Sequence, residues 1–178
     1  MDDTHATHAV MGNGYIAGGA VTITNTLSYT GTLTTLGLHV LLPTGLGWSY
    51  AGGGGSQGEV KPTVGTTELL DWGWTTVPPS PVTFTYTLNV PAGTSGAKNI
   101  VALMLSRRTG AEVQTITLPD PLVVNQALWH SADTNQDWKF NLSELLRVVQ
   151  LFNYRSGTVR TGEYHLDAAG EDGFNPGP

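Results

Sequence analysis

The sequence predicts a mainly β protein, an antiparallel β-sandwich followed by a small C-terminal appendage. Charged residues make up only 12% of the 178 residues, and the chain contains 23 glycines and 10 prolines. This composition is typical of short strands joined by many turns. Between the turns, segments with alternating apolar and polar residues recur, and this alternation is the period of a half-buried strand. Near the C-terminus the pattern changes to oxygen-bearing side chains ahead of a helical repeat, which predicts the appendage.

The predicted strands follow one another over the first 118 residues. Residues 82–90 show the clearest alternation, with one face apolar and the other rich in threonine. Seven or eight strands at this spacing indicate an immunoglobulin-like antiparallel β-sandwich. The predicted segments are residues 20–29, 36–42, 47–50, 68–74, 82–90, 99–106 and 113–118.

Two domains are expected. The prolines at 119 and 121 indicate the end of the sandwich, so we assign residues 1–124 to it and residues 125–178 to a calcium-binding segment and tail. Residues 1–15 allow two interpretations. They contain a strand-like stretch, residues 4–11, that is either an extended strand for assembly with a neighbouring copy or the first strand of its own sandwich.

Composition excludes several classes of function. The net charge of −6, without a cluster of Lys and Arg, argues against nucleic-acid binding. No apolar run approaches the roughly 18 residues that cross a bilayer. The absence of cysteine excludes disulfides and thiolate metal sites. The N-terminus is acidic and polar rather than leader-like, so we expect a mature or partial product.

Residues 133–144 match the twelve-residue EF-hand loop. Calcium binds six to eight oxygens, and this loop places them at positions 1, 3, 5, 7, 9 and 12. The residue at position 7 contributes its backbone carbonyl, and the glutamate at position 12 contributes both carboxylate oxygens. The predicted calcium ligands are Asp133, Asn135, Asp137, Lys139, Asn141 and Glu144.

A helix is expected to follow the loop directly. Leu142, Leu145, Leu146, Val149 and Phe152 have the spacing of one helical face. The loop departs from the usual pattern at position 6, where Trp138 replaces glycine. Its ring either docks on another surface or folds back on its own domain. The alternative for the whole loop is a polar turn that binds no ion.

The loop and helix resemble the dockerin modules of secreted bacterial proteins, and the threonine-rich sandwich resembles immunoglobulin-like or cohesin-like domains of bacterial surface proteins. Residues 131–137, 160–164 and 171–174 also resemble the corresponding stretches of extracellular proteins with this arrangement. The resemblance implies calcium-dependent folding and protein–protein docking. The second dockerin loop is missing, and only Asp167, Glu171 and Asp172 remain as candidates for a second calcium site.

We expect no enzyme. No metalloprotease, nucleophile-elbow or phosphate-loop motif occurs, and the run of glycines at 52–55 fits a flexible hairpin. Glu68 and Asp71 lie close in sequence to Trp72 and Trp74, a combination found in sugar-binding clefts. The alternative is that both tryptophans pack in the core of the sandwich.

These features together predict an extracellular or cell-surface calcium-binding structural protein. We expect a homo-oligomer, a self-associating subunit of a surface fibre or layer that assembles head to tail by strand addition. Exposed threonines and serines are candidates for O-linked glycans. The alternative function is a carbohydrate-binding or dockerin-like anchoring module of a secreted enzyme complex.

Overall fold

The computed structural model describes residues 3–127, 133, 139, 141–167, 169 and 174–178. The chain divides into two compact units, Met1–Ala127 and Leu128–Pro178. The first unit is built from strands, and the second contains a helix with two small hairpins. No helix in the described part of the chain has the length and apolar content needed to span a bilayer.

Nine strands form the first unit. Their bounds are β1 Thr4–Val10, β2 Ala20–Tyr29, β3 Thr35–Leu41, β4 Ser49–Gly55, β5 Leu69–Trp74, β6 Val82–Asn89, β7 Lys98–Arg107, β8 Val113–Leu118 and β9 Leu122–Val124. Each of the seven predicted strand segments overlaps one of these strands, and the predicted alternation is confirmed in β6. Its side chains at 82, 84, 86 and 88 are buried, and the threonines between them face outward.

Hydrogen bonds connect the strands in the order β4-β6-β2-β1-β8-β7-β3-β5, with β9 also paired to β7. The pairings between named strands are antiparallel with one exception. Strands β1 and β8 are parallel, and their register joins Ala6 to Thr117 and Thr7 to Leu118. This short junction connects the half of the sheet that contains β2 to the half that contains β7.

Aromatic contacts show that the two halves lie face to face. Strands β5 and β6 belong to opposite halves and are not hydrogen-bonded neighbours. The ring of Trp72 on β5 nevertheless lies 5.4 Å from Phe84 and 5.1 Å from Tyr86, both on β6. It also meets Tyr50 of β4 edge to face at 5.9 Å. The strands therefore form a two-layer β-sandwich with its core between the layers.

Trp72 and Trp74 are both 2% exposed in this core. The indole nitrogen of Trp74 donates a hydrogen bond to the carbonyl of Ser56 at 3.0 Å. Neither ring can stack on a sugar at the surface. The sugar-cleft interpretation is therefore wrong for these two side chains, because the inward face of β5 carries them while Asp71 points outward.

The N-terminal strand is paired on both sides within its own chain. β1 runs antiparallel to β2 from Thr4 to Val10 and parallel to β8 on its other side. The described conformation is thus the first strand of its own sandwich, and not an extended arm. Residues 125–127, which we assigned to the C-terminal segment, lie in the first unit, because Tyr15 bonds Asn125 and Ala127 through its backbone.

The open sides of both edge strands are partly covered by the segment between β4 and β5. Val60 and Gly73 exchange two backbone hydrogen bonds, of 3.1 and 3.0 Å, along β5. Tyr50 on β4 donates to Thr66 and accepts from Gly65, each at 2.8 Å. Paired edges leave fewer free backbone groups for a neighbouring strand.

A buried polar cluster interrupts the core beside β1. His8 is 2% exposed, and Asn25, its register partner on β2, is fully buried. The Nε2 atom of His8 donates a hydrogen bond of 2.7 Å to the carbonyl of Pro119. Among the described residues, neither His8 Nδ1, the Asn25 amide nor the Thr117 hydroxyl has a hydrogen-bond partner. Each such buried group costs about 1–3 kcal/mol of stability.

The second unit begins its regular structure with helix α1, Leu142–Phe152. Two antiparallel pairs follow, β10 (Arg155–Ser156) with β11 (Val159–Arg160), and β12 (Tyr164–Leu166) with β13 (Phe174–Pro176). The helix prediction is confirmed, and its bounds include the predicted apolar face.

Two tyrosines test the cost of unpaired hydroxyls in the sandwich core. Tyr86 is fully buried, and no described residue bonds its hydroxyl. The hydroxyl of Tyr15 instead donates to the carbonyl of Gly96 at 2.6 Å. We expect Tyr86→Phe to leave the free energy of unfolding unchanged or raise it, and Tyr15→Phe to lower it by about 1 kcal/mol. Urea unfolding measures both. Equal losses would contradict this assignment of the hydroxyl groups.

His8 makes stability fall at acidic pH. Burial lowers the pKa of His8, although its bond to the Pro119 carbonyl and the charge of Asp120 oppose this. As pH falls below about 6.5 the unfolded chain binds a proton that folded His8 still excludes, so the free energy of unfolding decreases by at most about 1.4 kcal/mol per pH unit. His8→Gln should remove this part of the slope between pH 7 and 5, and His5→Gln, at an exposed site, should retain it.

Candidate calcium site

The predicted loop ends at a well-formed helix start. Asn141 is the N-cap residue of α1, with φ −79° and ψ 171°. Its side-chain oxygen accepts a hydrogen bond of 3.0 Å from the backbone nitrogen of Glu144. The Oε2 atom of Glu144 accepts one of 3.0 Å from the backbone nitrogen of Asn141. This capping box fixes loop positions 9 and 12 next to each other at the first helical turn.

Two of the predicted ligands are buried carboxylates. Asp133 is 6% exposed and Glu144 is 4% exposed, while Lys139 is exposed. A carboxylate is rarely buried unless a cation or hydrogen-bond donors compensate its charge. Lys139 is predicted to contribute only its backbone carbonyl, so the exposure of its side chain agrees with that role. Asn135 and Asp137, with Trp138 and Phe140, lie outside the described residues.

The described part of the second unit has no apolar core. Glu144 is the only buried residue of α1. The apolar stripe of the helix is exposed: Leu142 71%, Leu145 52%, Leu146 58%, Val149 45% and Phe152 62%. Units of about 50 residues without disulfides are usually stabilised by a metal ion or a partner. The lack of buried apolar surface in the described part therefore favours a stabilising ion.

The available ligands fit a hard cation. All six predicted ligands bind through oxygen, and three of them, Asp133, Asp137 and Glu144, are carboxylates, the set that calcium prefers over transition metals. The bond from Asn141 N uses one lone pair of Glu144 Oε2, and an ionised carboxylate has about four lone-pair sites. In the described part of the chain no three His, Asp or Glu side chains form a metal cluster, but the centre of the loop is outside that part.

The acidic tail is only partly described. The Oδ1 atom of Asp167 accepts from the backbone nitrogen of Ala169 at 2.9 Å, and Oδ2 accepts from the Asn175 amide at 2.6 Å. These bonds lower the pKa of Asp167. They connect β12 to β13, which is a structural role for this carboxylate. Glu171 and Asp172, the other candidates for a second site, lie outside the described residues.

Two further surface features were not predicted from the sequence. On the outer face of β3, His39 lies 3.5 Å from Asp71, with both side chains about half exposed. Around this pair the outer face is apolar, with exposed Leu41, Leu69 and Ile116 and partly exposed Leu103. The unbroken apolar run at 100–105 signals this in sequence, because a strand with one solvated face should alternate.

The sequence matches no protein-family model and no curated protein. Similar folds occur among solved structures. The major pilin SpaD from Corynebacterium diphtheriae has a TM-score of 0.55 at 14% identity, over 69% of this chain and 36% of that one. This chain thus spans about a third of the pilin. At this identity the likeness supports the β-sandwich fold.

Two cohesins resemble the sandwich more distantly. The second type II cohesin module from the adaptor ScaA scaffoldin of Acetivibrio cellulolyticus has a TM-score of 0.48 at 10% identity, over 76% of this chain and 97% of that one. The non-cellulosomal cohesin from the archaeon Archaeoglobus fulgidus has a TM-score of 0.47 at 10% identity, over 75% and 99%.

The calcium site is tested by terbium luminescence and melting. Tb³⁺ binds oxygen sites of this type, and Trp138 within the loop sequence can transfer excitation to it. We expect calcium to displace Tb³⁺ and to raise the melting temperature of the second unit, because ligand binding to the folded state stabilises it. Glu144→Gln and Asp133→Asn should weaken binding at least tenfold. Glu163→Gln, at an exposed acid outside the loop, is the matched control and should not. Unchanged affinity in both loop variants would contradict the site.

Proposed function

We propose that this protein is an extracellular calcium-binding structural protein, a self-associating subunit of a surface fibre or layer. The observation that carries this proposal is the pattern of buried and exposed side chains in the second unit. It buries two carboxylates, Asp133 and Glu144, and leaves the apolar stripe of its helix exposed. A bound cation would balance the buried charges, and a protein partner would cover the stripe.

Calcium would act here as a structural ion. Asp133, Asn135, Asp137 and Asn141 would hold it with the carbonyl of Lys139, and Glu144 would join it to the first turn of α1. The bound ion supplies the positive charge that neutralises the buried carboxylates. Because Glu144 already closes the capping box, ion binding and helix formation are coupled at one residue.

The apolar outer face of the sandwich supports association. Leu41 and Leu69 are 49% and 40% exposed and occupy one row of the register with Val101. Ile116, 53% exposed, continues the next row beside Leu103. Contiguous exposed apolar side chains mark surfaces that other proteins cover. A copy of the same chain is the partner that a fibre or layer requires.

Three further considerations support this function. The sandwich has a fold like that of a major pilin, and the role of that protein serves here as an analogy. Millimolar calcium outside cells fills sites that cytosolic calcium leaves empty. The outward threonines of β2 and β6 form an uncharged surface on which O-linked glycans could be carried.

An anchoring module of a secreted complex is the second candidate. The exposed stripe of α1 favours it equally, because a helix that docks on another protein presents such a stripe. The carbohydrate-binding form of this alternative loses its support, since Trp72 and Trp74 are buried.

Light scattering and negative-stain electron microscopy separate the two functions. We expect large species or filaments in millimolar calcium that dissolve on chelation, because loss of the ion should unfold the helix that presents the apolar stripe. Replacing Leu145 and Val149 on the stripe by serine should prevent assembly without loss of the β-sandwich signal in circular dichroism. The matched control is replacement of Ser143 and Gln150, polar residues of the same helix, by alanine.

A monodisperse monomer in both conditions would contradict self-association. That result would leave the anchoring module, with a different protein as the partner of α1.

A further inference from the structure

β1 contributes less apolar surface to the core than β2 beside it, and β8 on its other side buries only Thr117. The two buried side chains of β1 are Ala6 and His8. By comparison, the inner face of β2 contributes Val21, Ile23 and Leu27 in addition to Asn25. Because stabilisation follows the apolar area buried, removal of β1 exposes less apolar surface than removal of β2 would.

The position that β1 fills is lined by polar groups that remain unpaired among the described residues. The amide of Asn25 on β2 and the hydroxyl of Thr117 on β8 are both fully buried on either side of it. Nδ1 of His8 is buried without a partner in the same part of the core. β1 is thus held by its backbone hydrogen bonds more than by its side chains. The β1 strand of another copy would form the same hydrogen bonds at this position.

A short hinge joins β1 to the rest of the sandwich. Gly12 and Gly14 have φ of +82° and +123°, a conformation that other residues rarely adopt. Directly after them, Tyr15 is anchored by its hydroxyl bond to Gly96 and by backbone bonds to Asn125 and Ala127. Only residues 11–14 can therefore straighten, over at most about 14 Å. Straightening a short hinge carries the strand away from its own body, and such hinges favour domain swapping.

We propose that β1 is exchanged between copies, so that Thr4–Val10 of one chain pairs with β2 and β8 of another. This inference rests on the proposed self-association and specifies its contact. Strand addition at the sheet edges is disfavoured because the segment containing Val60 and Thr66 already pairs there. The exchanged strand keeps the same antiparallel pairing to β2 and parallel junction to β8. Reciprocal exchange gives a closed dimer, whereas exchange onward to a third copy gives a fibre.

Two single-cysteine variants test the exchange, since the chain has no cysteine of its own. Thr7 and Thr26 are opposite each other in the register of β1 and β2 and are both partly exposed. Opposite residues of antiparallel strands lie about 4.5–5.5 Å apart between Cα atoms, within reach of a disulfide. Thr7→Cys and Thr26→Cys proteins are mixed in equal amounts, assembled in calcium and oxidised. Mass spectrometry then identifies the mixed disulfide.

The control mixture combines Thr24→Cys with Thr85→Cys, opposite residues of β2 and β6 that do not belong to the hinged strand. We expect the mixed disulfide between residues 7 and 26 to form at least fivefold more than that between residues 24 and 85. Equal yields, with large species still present by light scattering, would overturn the exchange and leave self-association standing. Absence of both large species and the mixed disulfide would overturn both.

A second variant tests the same inference within one chain. The double variant Thr7→Cys/Thr26→Cys, oxidised as a dilute monomer, fixes β1 in its own sandwich. We expect it to remain small in calcium and to regain assembly when a reducing agent opens the disulfide. Assembly of the oxidised double variant to the extent of the unmodified protein would show that exchange of β1 is not required and overturn the proposal.

Discussion

The contact of Trp72 with the rings of Phe84, Tyr86 and Tyr50 closes the sandwich. These rings belong to strands at opposite ends of the hydrogen-bonded order, so only side-chain burial can hold them together. Large aromatic rings contribute most of the apolar area available for this purpose. With the two layers fixed, the outward faces of the strands are free to differ, one rich in threonine and the other apolar.

The two units are stabilised by different means. The first has a continuous apolar core, whereas the described part of the second buries carboxylates and exposes its leucines. On the proposed function the second unit depends on an ion and a partner, so its stability follows the concentration of both. Its helix start carries both bonds of a capping box.

The sandwich combines a large apolar core with one strand, β1, whose buried side chains are only Ala6 and His8. Unpaired buried groups beside β1 lower stability at the position where a neighbouring copy would contribute an identical strand. Natural proteins retain destabilising features of this kind at functional sites. The covered edge strands have the opposite property, because their free backbone groups would otherwise attract non-specific partners. The two features together make β1, rather than an edge strand, the strand that the proposed exchange uses.

Local patterns in the sequence determined the strand segments, the helix Leu142–Phe152 and the candidate ligands, because alternation, helical spacing and loop spacing are properties of neighbouring residues. Asn25 within the apolar face of β2 was also visible as an exception to that alternation. Only the tertiary structure decided that residues 4–10 lie inside the sheet, that Trp72 and Trp74 face the core, and that Asp133 and Glu144 are buried. These facts depend on which distant segments meet, such as Ala6 with Thr117, and alternation cannot specify pairing between strands.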